Sequence, residues 1–299
     1  MKYRITHSTL YQYSQLVGLC QNEARLQPRD FWRQQCQSSR FDISPEPGDF
    51  HERRDFFGNR VAYFAIQQAH QRLMVTAVSE VTVFPRQSCD DLANLTAWEQ
   101  VRDQLQGSPG QTQQQDGYDE LLDAKLYVLD SPMVTAGAEL ADYARSSFLP
   151  NRPLVQVVAD LMQRIHADFT YAPSSTTIAT PLSDVLHFRR GVCQDFAHLA
   201  IGCLRSFGIA ARYVSGYVET QPEPGKQRLV GADASHAWFA VYVPGAGWLE
   251  FDPTNNKLPF DQHITLAWGR DYTDVTPLKG IAFGGGQHTL SVSVDVLRL

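Results

Sequence analysis

At 299 residues the chain can bury a sizeable core as two domains or one elaborated domain, and its 43% hydrophobic and 19% charged content excludes a disordered or fibrous protein. With 26 basic against 32 acidic side chains the formal charge is −6, and no dense Lys/Arg block interrupts it, so neither nucleic acid nor a membrane surface is an expected partner. No window approaches the roughly 18 apolar residues of a membrane span, Met1 to Ser8 alternates like a strand rather than a secretory signal, and five cysteines without C-x-x-C spacing suggest a cytoplasmic protein with neither a disulfide framework nor a zinc ribbon.

The first region reads as β structure. Lys2 to Tyr13, Gly18 to Gln27, Arg40 to Ile43, Val61 to Ala69 and Arg72 to Phe84 alternate or are β-branched, with turns at Pro45-Glu46-Pro47-Gly48-Asp49 and Phe57-Gly58-Asn59. This predicts an antiparallel β domain over 1–88, followed by a second domain over 89–299. The second opens on helical spacing from Asp91 to Leu105. Gly107 to Gly117 is linker-like and reads as a mobile loop. Helical periodicity returns at Ala136 to Phe148 and Leu154 to Phe169. A further helix from about Cys193 to Phe207 carries Phe196, Ala197, Ala200, Ile201, Leu204 and Phe207 on one stripe, and Gly208 follows where helices commonly stop. Arg212 to Val218, His236 to Val243 and Trp248 to Asp252 read as strands, with Pro244-Gly245-Ala246-Gly247 turning between the last two. Gly284-Gly285-Gly286 reads as a turn, and Thr289 to Leu297 alternates as a closing strand of the second domain.

Cys193 stands where a loop gives way to a buried helix, at the positive end of the helix dipole, where a thiolate is favoured. Gly191 leaves room for a substrate carbonyl, and the Cys193 backbone N–H can donate to an oxyanion there. Taken alone, Cys193 also fits a buried small apolar residue. His236 opens an apolar strand that would fix its ring, and Asp252 ends the strand across the hairpin, where it can hold the imidazole. Singly, these two fit a structural histidine and a turn cap before Pro253. Cysteine, histidine and aspartate in this order suit a nucleophile, its base and the base's orienter. H-E-x-x-H, P-loop, G-x-G-x-x-G, G-x-S-x-G and EF-hand patterns do not occur in the sequence, and no metal or cofactor is expected.

Gly191-Val192-Cys193, Ser235-His236-Ala237-Trp238 and Trp248-Leu249-Glu250-Phe251-Asp252-Pro253-Thr254 resemble the three core motifs of the transglutaminase-like superfamily, over about Leu154 to Asn256. The preceding β region and the closing stretch resemble bacterial members with an N-terminal β domain. The resemblance implies an α+β fold, a papain-like catalytic domain preceded by an antiparallel β domain, with Cys193 as nucleophile, His236 as general base and Asp252 as its orienter. Family members often place an aromatic residue upstream of the cysteine to help stabilise the oxyanion. Tyr171 is the nearest candidate, with packing as its other role. The implied activity is that of a cysteine protease or amidase working through a thioester on a peptide or protein, with hydrolysis expected ahead of crosslinking. A protein-glutamine transamidase and a non-catalytic peptide-binding module are the alternatives. Glu219 to Ala234, just before His236, is the expected border of the cleft, His198 a structural residue, and Trp238 and Trp248 core or cleft-wall aromatics.

Overall fold

The computed structural model describes residues 1–85, 95–107, 115–219 and 235–299. Its elements run β1 (Lys2–Ala24), β2 (Gln34–Ser44), β3 (Asp49–Arg54), β4 (Arg60–Ile66), β5 (His70–Val83), α1 (Trp98–Gln106), α2 (Gln115–Leu126), α3 (Ala138–Ala144), α4 (Leu154–Asp168) and β6 (Thr170–Tyr171). They continue as α5 (Leu182–Phe188), β7 (Arg190–Gly191), α6 (Cys193–Arg205), β8 (Ala211–Val218), β9 (Ser235–Val243), β10 (Gly247–Phe251), β11 (His263–Gly269), α7 (Tyr272–Val275), β12 (Leu278–Gly284) and β13 (His288–Arg298).

The two stretches expected as separate strands, Lys2 to Tyr13 and Gly18 to Gln27, are one strand. β1 keeps its direction by changing partners. Its first half lies between β5 and β13, its second half between β4 and β12, and the register shifts between Gln12 and Val17. At that irregularity the Gly285 N–H donates to the Leu16 carbonyl and the Gln15 N–H to the Gly285 carbonyl, both at 3.0 Å. Gly284, Gly285 and Gly286 all have positive φ, so the expected turn is a close fit against the bulge.

Asp49, read as the end of a turn, begins β3, whose mostly exposed residues carry no buried-face alternation to announce them. The linker-like reading of 107–117 meets α2 from Gln115 onward, while 108–114 lie outside the described residues. So do 86–94, including Cys89 and the start of the helix expected at Asp91. Thr289 to Leu297 is a strand, as its alternation predicts, yet it pairs along β1 in the first sheet, not with the strands of the second.

A second antiparallel sheet has the order β10-β9-β8-β11. α6 packs on one of its faces, and every residue of α6 from Asp195 to Arg205 is buried. The other face meets the first domain. There Gln34 exchanges hydrogen bonds with Thr265, accepting from its N–H and donating to its carbonyl, both at 2.8 Å, and Arg33 pairs with Glu250 at 2.9 Å. On the α6 side, Tyr3, Ile5, Val81, Val83, Val294 and Val296 of the first sheet join the apolar cluster that holds α6 together with Tyr217 and Ile264 of the second. The sheets therefore share a core, which fixes how the strand ends carrying His236 and Asp252 sit.

At Gly284 (φ +98°) an added Cβ would come within 2.6 Å of the Leu16 carbonyl oxygen, whereas at Gly245 (φ +79°) it would meet nothing within 4 Å. Gly245→Ala should cost about 1 kcal/mol of backbone strain, and Gly284→Ala at least about 2 kcal/mol because backbone must also move. Urea unfolding of the two variants beside the parent measures that difference.

Candidate active site

The site is built where three chain segments converge. β6 pairs in parallel with β7, setting Tyr171 opposite Gly191. From there the chain enters α6, whose first residue is Cys193. Asp195, one turn in, folds back so that its Oδ2 accepts the Val192 N–H at 2.8 Å and the Thr176 hydroxyl at 2.6 Å. That carboxylate dictates the glycine at 191, since a Cβ there would lie 2.7 Å from Asp195 Oδ2. The space above Gly191 is thus occupied by the helix's own cap. The Cys193 N–H, one of the first N–H groups of α6, has no partner within the helix and is free to meet a ligand.

β9 and β10 form a hairpin with Phe239 opposite Phe251, bringing His236 and Asp252 to the same end. His236 Nε2 donates to Asp252 Oδ2 at 2.9 Å. Cys193 lies close enough to the same ring to favour its charged form. Since Nε2 is committed to Asp252, Nδ1 is the nitrogen left to face the sulfur. Burial opposes charge on His236, but the hydrogen bond to Asp252 and the neighbouring Cys193 outweigh it and hold the imidazole well above its ordinary value. Asp252 is fully buried. Burial favours its neutral form, yet donation from His236 and from His263 keeps it well below the usual carboxylate range.

His263 is the residue sequence reasoning missed. It opens β11, and its Nε2 donates to the same Asp252 Oδ2 at 3.0 Å. Asn255 Nδ2 donates to that oxygen at 2.7 Å, while Oδ1 accepts the N–H groups of Thr254 and Asn255 at 3.1 and 3.2 Å. His263 is 3% exposed, its ring stands edge-on to Trp238 at 5.1 Å, and its Nδ1 is buried without a partner. His236, Asp252 and His263 each offer a ligand atom within 4.8 Å of the others, a set of a kind that holds transition metals. The hydrogen bonds already account for that convergence.

The remaining expected residues take clear places. Tyr171 is 52% exposed, its ring 6.4 Å from that of Phe196, and burial together with the nearby Cys193 pushes its phenol up. His198 is buried on the far side of α6, where its Nε2 accepts the Tyr272 N–H at 3.1 Å and burial lowers it to about 4. Trp238 is fully buried and Trp248 packs against the core. Of the expected cleft border, only Glu219 lies within the described residues; residues 220–234 lie outside them.

Residues 142–253 match the family model described as the transglutaminase-like superfamily, and residues 3–82 match the bacterial transglutaminase-like N-terminal region. An uncharacterized protein of Mycobacterium tuberculosis is 43% identical over 99% of this chain and 92% of its own. The chain belongs to the transglutaminase-like superfamily. A protein-glutamine gamma-glutamyltransferase of Pseudomonas aeruginosa is 34% identical over 49% of this chain but only 23% of its own length. A crystal structure of a candidate cysteine protease from Cytophaga hutchinsonii superimposes with a TM-score of 0.74 at 19% identity, covering 99% of this chain and 90% of that one, and so shares the fold. Of this transglutaminase-like chain's described residues, no helix is long and apolar enough to cross a membrane.

The charges on the pair set its pH behaviour. The Asp252 contribution to stability is present above the unfolded carboxylate value of about 3.9 and is lost as pH falls toward its depressed folded value; that of His236 is present below about 6.5 and is lost as pH rises through its raised one. By histidine NMR, the His236 ring of the parent should stay charged from about pH 5 to 8, whereas in Asp252→Asn its titration should move back toward about 6.5. Denaturant unfolding should find this variant about 3–5 kcal/mol less stable at pH 7, with the deficit shrinking below about pH 4.

Proposed function

We propose that this chain is a thiol acyl-transfer enzyme that hydrolyses amide bonds of peptides or proteins. The observation that carries the reading is a single imidazole bonded to a fully buried carboxylate and set beside the cysteine that begins a helix. A pure binding module has no need of that arrangement. The free thiols of Cys20, Cys36, Cys193 and Cys203 support a reducing, cytoplasmic setting.

The proposed reaction begins with the Cys193 thiolate adding to the substrate carbonyl carbon. The carbonyl oxygen becomes an oxyanion that accepts from the Cys193 backbone N–H, with the Tyr171 hydroxyl as second donor. Collapse of the tetrahedral adduct breaks the C–N bond, and the His236 Nδ1 proton passes to the departing amine. A thioester remains. His236, now neutral, takes a proton from water, the hydroxide adds to the thioester, and collapse releases the carboxylic acid and restores the thiolate and imidazolium. Asp252 holds the ring throughout, and His263 acts as a positioning residue by holding Asp252.

A second reading replaces water with an amine. The Pseudomonas aeruginosa relative, named for glutamine transfer, favours it. A peptide-library digest with and without added primary amine separates the two: shortened peptides alone support hydrolysis, and amine-modified glutamine side chains support transfer. In either case Cys193→Ala should abolish turnover. Iodoacetamide labelling of Cys193 at about pH 6 should slow by about tenfold or more in His236→Ala; equal rates in the two proteins would favour a binding module. Tyr171→Phe should lower kcat about tenfold or more as an oxyanion donor is lost, and an unchanged kcat would assign Tyr171 to packing. His263→Gln should lower kcat by about tenfold with little change in KM, and should shift the pH profile through Asp252 and His236.

A further inference from the structure

The second sheet carries a cavity at the end opposite the Cys193 cleft. β9 begins at Ser235, beside the cleft, and ends at Val243. The hairpin that follows, Gly245 to Gly247, rims a cavity of about 640 Å³ that is also lined by Trp32, Arg212, Trp248 and Trp268. Arg212, the residue at its centre, pairs with Ala240, four residues along β9 from His236, which sets it roughly 13 Å from that ring at about 3.3 Å per residue. The volume falls within the range of small-ligand pockets, about 300–1,000 Å³.

Arg212 is the informative lining residue. It is 6% exposed, and its guanidinium lies between two indoles, with Cζ 4.3 Å from the centre of the Trp248 ring and 3.8 Å from that of Trp268. Arg29 stacks on Trp268 at 3.5 Å, and since two guanidiniums cannot occupy one face at such distances, it covers the opposite side. The two arginines differ in their partners. Arg29 donates to the Phe57 carbonyl at 2.9 Å and to Asn59 Oδ1, and Arg33, also on the cavity wall, is paired with Glu250. Arg212 has no ion pair or side-chain hydrogen bond among the described residues, and its Nε is buried without a partner. Burial lowers it only to about 10, so it is charged at neutral pH.

A buried cation with idle donors is costly unless something meets it. The indoles fix its plane and leave the guanidinium edge as the one polar, directional contact, a geometry that matches a carboxylate bidentately. Glu120, Asp123 and Glu250 also line the cavity, so a doubly charged phosphate would meet about twice the repulsion that a singly charged carboxylate does. The exposed ring of Trp32 at the mouth suits a flat or apolar body. We propose that this cavity binds a carboxylate carried on an aromatic or apolar body, with Arg212 as the anion's anchor and Trp32 as a wall.

The full chain is titrated with N-acetyl-L-phenylalanine while tryptophan fluorescence is followed, beside N-acetyl-L-phenylalaninamide and inorganic phosphate. The acid should give saturable binding, with the neutral amide and phosphate each weaker by about tenfold or more. Arg212→Met, which keeps the stem between the indoles, should weaken the acid by about tenfold or more, and Trp32→Ala by several-fold with unfolding temperature unchanged. His236→Ala should bind as the parent does, which keeps this test independent of the activity proposed for the cleft. Equal binding of acid and amide, preference for phosphate, or loss of binding in His236→Ala would overturn the proposal. So would unchanged binding in Trp32→Ala, which decides the matter should Arg212→Met fail to fold.

Discussion

A buried carboxylate surrounded by five donors organises this molecule. Asp252 accepts from two imidazoles, one side-chain amide and two backbone N–H groups, and has no contact with solvent. Such a group tolerates no vacancy, because a charged oxygen without partners in a dry interior costs several kcal/mol. The donors come from β9, β11 and the turn after β10, so satisfying one side chain pins three strand ends together. The orientation of His236 toward the sulfur is a by-product of that requirement.

The sheet that presents these strand ends is itself held from both faces. α6 fills one side with apolar packing. The first domain adds polar grips: Tyr3 donates to Glu219 Oε2 at 2.9 Å and His7 Nδ1 meets the Tyr217 hydroxyl at 2.8 Å, while on the face away from α6 Arg33 buries its charge against Glu250. Glu250 lies two residues before Asp252 on the same strand face. The β domain is therefore part of what keeps the hairpin in register, and His7, lowered to about 4 by burial, takes part as a neutral ring at physiological pH.

The positions of Cys193, His236 and Asp252 were legible because the α6 stripe and the β9 and β10 alternation place them at element ends. His263 was not legible. Its strand, His-Ile-Thr-Leu-Ala-Trp-Gly, is buried almost throughout, so it shows no alternation, and a histidine before an apolar run carries no signal until the fold sets it beside Asp252. The same limit explains Arg212, whose neighbours Trp248 and Trp268 come from other strands. β3 escaped notice because its residues are largely exposed, and β1 was divided between Tyr13 and Gly18, where the strand's register shifts. Sequence periodicity reports which face is dry, not which distant strand supplies the partner.

β1 pairs with β13 from Tyr3 opposite Arg298 to Tyr13 opposite His288. β1 must wait for a strand made nearly three hundred residues later before that edge is closed. Loop-closure entropy on that scale makes such pairing slow. On the ribosome the nascent β sheet would present an open edge of unpaired backbone until β13 emerges, which marks the interval when a chaperone would have the most to protect.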